Sequence, residues 1–396
     1  MKQPTLLLGI TGGISAYKLT DLVSRLTKEG IRVLTVMTDS AQQFITPLTM
    51  ETLTKQRCYT QLFDRQTPEE VTHIWLAQQA DVVLVAPATA NFLAKMTYGL
   101  ADDLLSSVLL ATTAPVLVSP AMNVHMYRNP ATQQNLAALQ QRGVQVIPPE
   151  EGLLACGETG EGRLPETETL YRWVKKALTP QDLAGKKVLV TAGATREAVD
   201  PVRFLTNHST GKMGYAVAQA AWQRGAEVTL VSGITALNCP VGVNRITVTS
   251  AADMMEAVQQ HWQEQDAFVL SAAVADFTPE HPAGQKIKKE GQSQRTLSLA
   301  ATQDILAWLG EHKKQGQRLC GFSMETEHLL ENSRKKLEKK KADLIAANSL
   351  TQPGAGFGVD TNCLTLIGPD WEEQLPLMSK EDCAGALLDK LLGDQS

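Results

Sequence analysis

Short, unbroken apolar runs alternate with amphipathic stretches along the whole chain. In the first half this pattern predicts strands at Leu6–Ile10, Arg32–Met37, Asp81–Ala86 and Val116–Ser119, and helices over 15–29, 102–111 and 131–142. Strands that are apolar at consecutive positions are typical of parallel sheets covered on both faces. Their alternation with helices predicts a doubly wound α/β sheet, whose ligands bind beyond the carboxyl ends of the strands.

The same alternation starts again after a break near residue 182. A helix predicted over Glu166–Leu178 ends at a proline-containing segment, 179–182. We therefore predict two domains, 1–182 and 183–396, each Rossmann-like. The strands predicted in the second domain are Val188–Thr191, Glu227–Ser232, Phe268–Ser271, Arg318–Phe322 and Asp343–Asn348, and its helices end near Arg224 or span 327–341 and 380–392. Residues 361–367 and 374–378 are predicted to form a small hairpin-like addition.

Composition narrows the class of protein. The chain has 396 residues, enough for two cores, and a formal net charge of -5, which gives no overall attraction to nucleic acid or an acidic membrane. Its first apolar run, Leu6–Ile10, is too short to span a bilayer. The six cysteines are scattered without a Cys-x-x-Cys pair, which argues against a disulfide framework or zinc site and predicts a reducing, cytoplasmic location.

Polar turns follow the predicted strands of the first domain. A glycine turn, 11–15, leads from the first strand into a helix, and Thr38–Ser40 follows the second strand. Backbone N–H groups and hydroxyls at such positions bind phosphate. Two proline-fixed turns, Pro87–Asn91 and Pro120–Asn123, each end in an asparagine that offers both a donor and an acceptor. Together these turns favour a planar polar cofactor.

A flavin mononucleotide fits this pattern better than a nicotinamide dinucleotide. The glycine turn is not Gly-x-Gly-x-x-Gly, and no acidic residue ends the second strand to hold a ribose. His73, just before the third strand, is the leading candidate for a base. Cys156 lies in the segment Leu153–Arg163, whose glycines predict a mobile loop without regular helix or strand.

The first domain resembles the flavin-containing cysteine decarboxylases. The resemblance lies in His73, the Pro-Ala-Thr-Ala-Asn and Pro-Ala-Met-Asn turns and the Leu-Ala-Cys-Gly-Glu loop, with Thr89 where the family commonly has serine. It implies FMN as cofactor and 4'-phosphopantothenoylcysteine as substrate. It also implies that His73 serves the oxidative half-reaction, that Asn123 grips the substrate carboxylate and that Cys156 donates a proton. The cofactor-binding residues that we expect are Gly12, Ser15, Thr38, Ala86, Thr89, Asn91 and Met122.

The second domain carries polar and cationic residues suited to a nucleotide triphosphate. The segment Asn207–Gly214 opens a helix and is predicted to bind phosphate, although its Gly-Lys-Met is not a P-loop. Asp276 ends a strand, where it suits a ribose or a metal-bound phosphate, and Phe322 could stack on a base. Lys336 and Lys340, four residues apart on one helix, are predicted to reach the triphosphate.

These features make the second domain similar to the bacterial, CTP-using phosphopantothenate–cysteine ligases. The family commonly has Gly-Gly-Thr where this chain has 193–195, Gly-Ala-Thr. The resemblance implies that CTP and Mg2+ activate the 4'-phosphopantothenate carboxylate as an acyl-cytidylate, from which cysteine displaces CMP. It implies Lys286 in cytidylate formation and Asn207 in stabilising or positioning the acyl-cytidylate. The nucleotide-binding residues that we expect are Ala272, Asp276, Lys286, Gln303, Asp304, Ile305, Leu306, Phe322, Lys336 and Lys340; metal ligands are not assigned.

Together the halves resemble the bifunctional phosphopantothenoylcysteine decarboxylase/phosphopantothenate–cysteine ligase family of coenzyme A biosynthesis. The resemblance implies small-molecule substrates and a homo-oligomer, without nucleic-acid or membrane partners. Two alternatives remain open. A flavin-binding regulatory subunit would not need His73, Asn123 and Cys156 together, or the second domain. A nicotinamide-dependent oxidoreductase is disfavoured by the glycine pattern. Flavin absorption by the purified protein would favour the bifunctional enzyme or the regulatory subunit over the nicotinamide-dependent oxidoreductase.

Overall fold

Each half of the chain has a parallel sheet at its centre. The computed structural model describes residues 3–63, 71–155, 157–289, 295–325, 328–349, 354, 356 and 358–393. Its internal contacts separate two units, Met1–Pro180 and Gln181–Ser396. Among the helices of the described residues, none has the length and apolarity that crossing a membrane requires.

The first unit contains the predicted strands and helices, with small shifts at their ends. Its strands are β1 (Thr5–Ile10), β2 (Arg32–Met37), β3 (Cys58–Tyr59), β4 (Val82–Ala88), β5 (Val116–Pro120), β6 (Gln145–Val146), β7 (Glu150–Leu153) and β8 (Thr159–Arg163). Its helices are α1 (Leu19–Lys28), α2 (Pro47–Thr54), α3 (Thr72–Gln79), α4 (Ala90–Tyr98), α5 (Leu104–Ala111), α6 (Val124–Arg128), α7 (Pro130–Gln141) and α8 (Thr167–Leu178). Short 3-10 helices at Ile14–Lys18 and Ala41–Gln43 follow β1 and β2.

The sheet of the first unit has the strand order β3-β2-β1-β4-β5-β6, and all its pairs are parallel. Every residue of β1 and β4 is buried because helices cover both faces. Leu6 and Leu8 pack with Leu22 of α1, whereas Leu7 packs on the other face with Phe92 and Leu105. The order reverses between β1 and β4, which makes their carboxyl ends the expected binding edge.

The second unit is larger and also follows the predicted pattern. Its strands are β9 (Lys187–Ala192), β10 (Arg196–Ala198), β11 (Phe204–Thr206), β12 (Glu227–Ser232), β13 (Asn244–Thr247), β14 (Ala267–Leu270), β15 (Phe277–Pro279), β16 (Leu299–Ala301), β17 (Arg318–Glu325), β18 (Leu344–Ser349), β19 (Thr361–Asn362), β20 (Leu364–Ile367), β21 (Glu372–Gln374) and β22 (Met378–Ser379). Its helices are α9 (Lys212–Gln223), α10 (Ala251–His261), α11 (Ile305–His312), α12 (Leu329–Lys339) and α13 (Lys380–Leu392).

The sheet of the second unit has the order β13-β12-β9-β14-β17-β18-β20-β21. Its strands are parallel as far as β18, and the antiparallel pair β20–β21 extends one edge. The addition predicted at 361–367 and 374–378 is present, but the strand that pairs with β20 is Glu372–Gln374, and the short pair β19–β22 lies beside it. The predicted class, α/β with Rossmann-like parallel sheets, is therefore confirmed in both units. The antiparallel pairs β10–β11 and β15–β16 were not predicted, because their mostly exposed residues form no apolar run.

The prediction that glycines keep the segment 153–163 free of regular strand is wrong. β7 and β8 pair there as an antiparallel hairpin. Gly160 and Gly162 serve the packing of β8 instead, since a Cβ at Gly160 would lie 2.8 Å from Val124 and one at Gly162 would collide with the carbonyl of Met122. The Met122 N–H donates to the Gly162 carbonyl at 2.9 Å. Cys156, between the two strands, lies outside the described residues.

A largely shielded arginine, Arg224, ties the start of the second unit to its last helix. The Arg224 side chain, only 13% exposed, donates to both carboxylate oxygens of Asp182 and lies 2.6 Å from the carboxylate of Asp389 on α13. The hydrogen bond from Arg224 lowers the pKa of Asp182 and is the main cause of that shift. A charge held by two partners at low exposure contributes to stability.

We expect Arg224→Ala to lower the free energy of unfolding of the second unit by about 1–3 kcal/mol near neutral pH. The pKa of Asp182 is lower in the folded protein than in the unfolded chain. The contribution of its carboxylate to the free energy of unfolding is therefore complete above the unfolded pKa and is lost as the pH falls through the folded pKa. Calorimetry of the full chain at about pH 7 and about pH 3 should find a smaller difference at the lower pH.

Arg334→Ala is the matched control for this prediction. It removes an ion pair with Glu372 in which both side chains are 43% exposed. Such pairs contribute about 0–1 kcal/mol. If the two variants lose equal amounts of unfolding free energy, the contacts of Arg224 with Asp182 and Asp389 contribute no more than an exposed ion pair.

Candidate active sites

A buried threonine joins the end of β1 to the proline turn after β4. The Thr11 hydroxyl donates to the carbonyl of Pro87 at 2.6 Å and accepts the N–H of Thr89 at 3.0 Å. Thr89 in turn caps α4, because its hydroxyl accepts the N–H of Phe92. These bonds fix the carboxyl ends of β1 and β4 side by side, at the point where the strand order reverses.

A cavity of about 720 Å³, here called cleft A, opens at the ends of β1, β2 and β4. Gly12 lies so close to the turn after β2 that an added Cβ would stand 2.5 Å from that of Ser40. A side chain at position 12 would therefore displace the turn after β2 or fill the cleft. Four residues expected to bind the cofactor line cleft A, namely Gly12, Thr38, Thr89 and Asn91.

A lysine paired with two aspartates lies along one wall of cleft A. Lys95 lies 2.7 Å from Asp102 and 3.0 Å from Asp103, and the hydrogen bond to Asp102 is the main cause of its raised pKa. Burial would raise the pKa of Asp103, but hydrogen bonds from Ser106 and Lys95 lower it below its usual value. Asp39 also lines the cleft. It lies two residues past the end of β2, in the turn Thr38–Ser40, and was not among the residues expected to bind the cofactor.

A second cavity of about 720 Å³, cleft B, adjoins cleft A, since Gly12 and Thr89 line both. Ser15, Met122 and Asn123 line cleft B, as expected from the sequence. The β7–β8 hairpin supplies much of the remaining wall through Leu153, Leu154, Ala155, Gly162 and Arg163. Both volumes lie within the range of about 300–1,000 Å³ usual for small-molecule sites.

Asn123 connects the turn after β5 with the hairpin. Its side-chain oxygen accepts the N–H of His125 at 2.8 Å, and its amide nitrogen donates to the carboxylate of Glu158. Glu158 lies between the two hairpin strands, so this bond ties Asn123 to the chain segment that contains Cys156.

Some residues predicted for this site lie elsewhere. Ala86 is fully buried inside β4 and lines neither cleft, so it contributes through packing. His73 is half-buried on α3 and is absent from the described walls of clefts A and B. The position of His73 in the sequence, just before a strand, does not predict whether its side chain lines a cleft.

In the second unit, cleft C surrounds the N-terminus of α9 and has a volume of about 140 Å³. The segment 209–213, predicted to bind phosphate, forms one wall, and Ala272 and Phe322 face it. Asn207 lies close by, because its amide nitrogen donates to the carbonyl of Ala273 at 3.0 Å. Ala273 in turn donates its N–H to Gly193 at 2.8 Å, so the predicted turns form one hydrogen-bonded group.

Two residues of cleft C were missed in the sequence. Asn348 is 5% exposed, and its side-chain oxygen has no hydrogen-bond partner among the described residues. Its position near the carboxyl end of β18 was a signal that could have identified it. Lys380, 6% exposed, comes from the start of α13, and burial lowers its pKa. Only the three-dimensional fold brings that helix to the cleft.

The predicted lysines occupy different positions. Lys340 lies 2.6 Å from the carboxylate of Asp304, and Lys336 donates to the carbonyl of Phe322 at 2.8 Å. Burial would raise the pKa of Asp304, but hydrogen bonds from Lys340 and from the N–H of Ala307 lower it. Lys340, Lys336 and Asp304 therefore adjoin the Phe322 side of cleft C without lining it.

The other residues expected to contact the nucleotide are Asp276, Lys286 and the segment 303–306. Thr302 donates its N–H to the carbonyl of Asp276 at 2.9 Å, which places Gln303 and Asp304 next to Asp276. Ile305 and Leu306 belong to the core, so only their backbone is available to a ligand. Lys286 is exposed on a separate segment. The described residues contain no cluster of three or more His, Cys, Asp or Glu that could hold a metal ion.

Comparisons with known proteins agree with this division. The family described as Flavoprotein matches residues 1–179, and the DNA/pantothenate metabolism flavoprotein C-terminal domain matches residues 183–393. The coenzyme A biosynthesis bifunctional protein CoaBC of Bacillus subtilis (strain 168) is 48% identical over 396 residues, covering 99% of this chain and 97% of the relative. The corresponding Escherichia coli (strain K12) protein is 42% identical over 390 residues, covering 98% and 96%.

Among solved structures, the C-terminal domain of a CoaBC protein matches with 44% identity and a TM-score of 0.46, covering 53% of this chain and 95% of that one. Two Rossmann-like units of these families define the class, a tandem α/β flavoprotein. The chain belongs to the family of coenzyme A biosynthesis bifunctional proteins. It is accordingly an enzyme.

We expect Thr11→Val to destabilise the first unit by about 2–3 kcal/mol, because the buried carbonyl of Pro87 and N–H of Thr89 would each lose a partner. Bound flavin per chain should fall as well, since both clefts depend on this junction. Urea denaturation and flavin absorption of the purified protein measure the two effects. The control is Thr20→Val, whose hydroxyl donates to Tyr17 on an exposed helix surface. If Thr11→Val has normal stability and flavin content, the hydrogen bonds of Thr11 do not hold the ends of β1 and β4 in place.

Proposed function

We propose that the chain carries out two consecutive steps of coenzyme A biosynthesis. It joins 4'-phosphopantothenate to cysteine using CTP and Mg2+, and then decarboxylates 4'-phosphopantothenoylcysteine to 4'-phosphopantetheine using FMN. The ligase reaction is assigned to residues 183–396 and the decarboxylation to residues 1–182. The observation that carries the proposal is the presence, in one chain, of separate strand-end clefts with different polar linings in the two units.

FMN fits clefts A and B. Gly12 lines both clefts at a point where the turn at Ser40 leaves no room for a side chain, and the adjoining volumes suit a ring system with a phosphate-bearing tail. Thr38, Ser15 and Thr89 would offer hydroxyls, and Asn91 an amide, to the polar parts of the cofactor. When bound, the flavin supplies an acceptor for hydride from the carbon next to the substrate sulfur, which makes loss of carbon dioxide possible.

The residues of cleft B orient the substrate and control protons. We assign the side-chain amide of Asn123 to binding the substrate carboxylate. The substrate carboxylate would then accept the N–H group of Asn123 in place of the Glu158 carboxylate. Cys156 would donate the final proton from the tip of the β7–β8 hairpin. Closure of this hairpin over cleft B would exclude water from that step.

The position of His73 supports assembly into a homo-oligomer. Since His73 is absent from the described walls of its own clefts, we assign it to the flavin cleft of a second copy. We also propose a cytoplasmic location. The described cysteines, including Cys239 on the surface, are all free, as in a reducing compartment.

For the ligase step, we assign the phosphate groups of CTP to the N-terminus of α9 in cleft C. The helix dipole and the N–H groups of 209–213 favour anions there. Asp276 and Phe322 would hold the cytidine, while Lys336 and Lys340 would shift from their present partners toward the triphosphate. The substrate carboxylate attacks the α-phosphorus, which releases pyrophosphate, and the amine of cysteine then displaces CMP.

The test of both reactions is a single incubation of the purified chain with 4'-phosphopantothenate, cysteine, CTP and Mg2+. Mass spectrometry should detect 4'-phosphopantetheine, carbon dioxide and CMP. Without CTP the product should form only from added 4'-phosphopantothenoylcysteine. Failure to form CMP refutes the ligase assignment, and failure to decarboxylate the added intermediate refutes the decarboxylase assignment.

Asn207→Asp should abolish amide synthesis while decarboxylation of added 4'-phosphopantothenoylcysteine continues. The amide of Asn207 donates to the carbonyl of Ala273 at 3.0 Å, whereas an aspartate there has no proton to donate and repels an anionic acyl-cytidylate. We expect amide formation to fall by about 100-fold or more, as for loss of a donor to a developing charge. The control is Asn244→Asp on the exposed strand β13. Undiminished synthesis by Asn207→Asp would remove Asn207 from the site.

A further inference from the structure

A buried carboxylate lies at the turn between β10 and β11. The side chain of Asp200 is 0% exposed. One of its oxygens accepts the N–H groups of Val202 and Arg203, each at 2.8 Å. The other oxygen accepts the N–H of Ile287 at 3.1 Å and lies 3.0 Å from the guanidinium of Arg203. Asp200 thus binds a segment that is remote in sequence.

That segment, residues 283–287, is here called the lysine strap, because Lys286 lies beside its second anchor. The first anchor is the N–H of Ala283, which donates to the carbonyl of Val199 at 3.0 Å. At the second anchor the strap is held from both sides. The N–H of Ile287 donates to Asp200, and its carbonyl accepts from Arg203. Lys286 itself is exposed.

The charge of Asp200 is what makes the second anchor specific. Burial would raise the pKa of Asp200, but the hydrogen bonds from Ile287, Val202 and Arg203, together with the charge of Arg203, lower it below its usual value. A neutral turn-forming residue, such as asparagine, has one side-chain oxygen and could accept the two N–H groups of the turn. A carboxylate has a second oxygen, and in Asp200 this second oxygen accepts the N–H of Ile287. The carboxylate therefore does more than shape the turn.

The same hairpin leads to the other assigned ligase residue. β11 ends at Thr206, whose hydroxyl donates to the carbonyl of Thr195, and Asn207 follows directly. One hairpin therefore connects the strap beside Lys286 with the amide of Asn207 near cleft C. A displacement of the turn at Asp200 would act first on the strap, because the strap contacts the carboxylate directly.

We infer that Asp200 is a positioning residue for the ligase reaction, which fixes the lysine strap so that the ammonium group of Lys286 meets the triphosphate in one place. The inference rests on the proposed function, in which Lys286 serves cytidylate formation. Asp200 touches neither substrate nor nucleotide in this scheme. Its effect is confined to the first half-reaction, the release of pyrophosphate from CTP.

Asp200→Asn tests the inference with minimal change in shape. An amide oxygen can still accept the N–H groups of Val202 and Arg203, but the amide nitrogen then faces the N–H of Ile287, where two donors oppose each other. The turn keeps its bonds and the strap loses its anchor. We expect pyrophosphate release to slow by about 10- to 100-fold, mainly in kcat, because a displacement of about 1 Å has effects of that size.

The measurement is pyrophosphate release by the full chain with CTP, Mg2+ and 4'-phosphopantothenate, in Asp200→Asn, Lys286→Gln and the double variant. If Asp200 acts through Lys286, the double variant is no slower than Lys286→Gln alone. Decarboxylation of added 4'-phosphopantothenoylcysteine stays normal and shows that the first unit is intact, and calorimetry of the full chain checks that the second unit of each variant is folded. The matched control is Asp253→Asn, which removes a carboxylate that also accepts backbone N–H groups, at the start of α10, far from the strap in sequence.

Each failure has a distinct meaning. An undiminished rate in Asp200→Asn, or losses that multiply in the double variant, overturns the positioning role and leaves the proposed function intact. An undiminished rate in Lys286→Gln overturns both the assignment of Lys286 and the inference built on it. Absence of pyrophosphate release from the unaltered chain refutes the ligase function itself.

A second variant covers the case in which Asp200→Asn does not fold. Ile287→Pro deletes the N–H that binds Asp200 and leaves the carboxylate and its turn unchanged. It should slow pyrophosphate release to a similar extent, and hydrogen exchange of the strap amides should accelerate in either folded variant. Unchanged exchange at 283–287 in both variants would also overturn the inference.

Discussion

The burial of both faces of each parallel sheet is the constraint on which the rest of the molecule depends. Helices cover β1 and β4 so completely that polar side chains can reach solvent only where the strands end. Ligands are therefore expected at the carboxyl ends of the strands, at the point in each sheet where the strand order reverses. Clefts A, B and C all open there, and the hydrogen bonds of Thr11 hold the ends in register in the first unit.

Glycine serves close approach rather than disorder in the first unit. The hairpin β7–β8 contains the glycines that the sequence analysis associated with an irregular loop. Gly160 and Gly162 allow β8 to lie directly on the turn around Met122, which no residue with a side chain could do. The hairpin thus becomes a wall of cleft B through its two paired strands.

Charged groups in the second unit are held by partners before any ligand arrives. Lys340 pairs with Asp304, Lys336 binds a carbonyl, and Asp200 anchors the strap beside Lys286. Such arrangements keep cations near a site without leaving them uncompensated. A triphosphate bound in the proposed way would compete with these internal acceptors.

The sequence by itself determined the two α/β units, their main strands and the strand-end turns, because long apolar runs and proline- or glycine-marked turns are local signals. It also predicted Gly12, Thr89 and Asn123 as site residues at such turns, and all three line cleft A or cleft B. Tertiary structure alone decided that His73 is not among the described residues lining clefts A and B, that Lys380 and Asn348 both line cleft C, and that Asp200 binds the lysine strap. These facts depend on which segments pack together, and residues far apart in the chain carry no periodicity that reveals it.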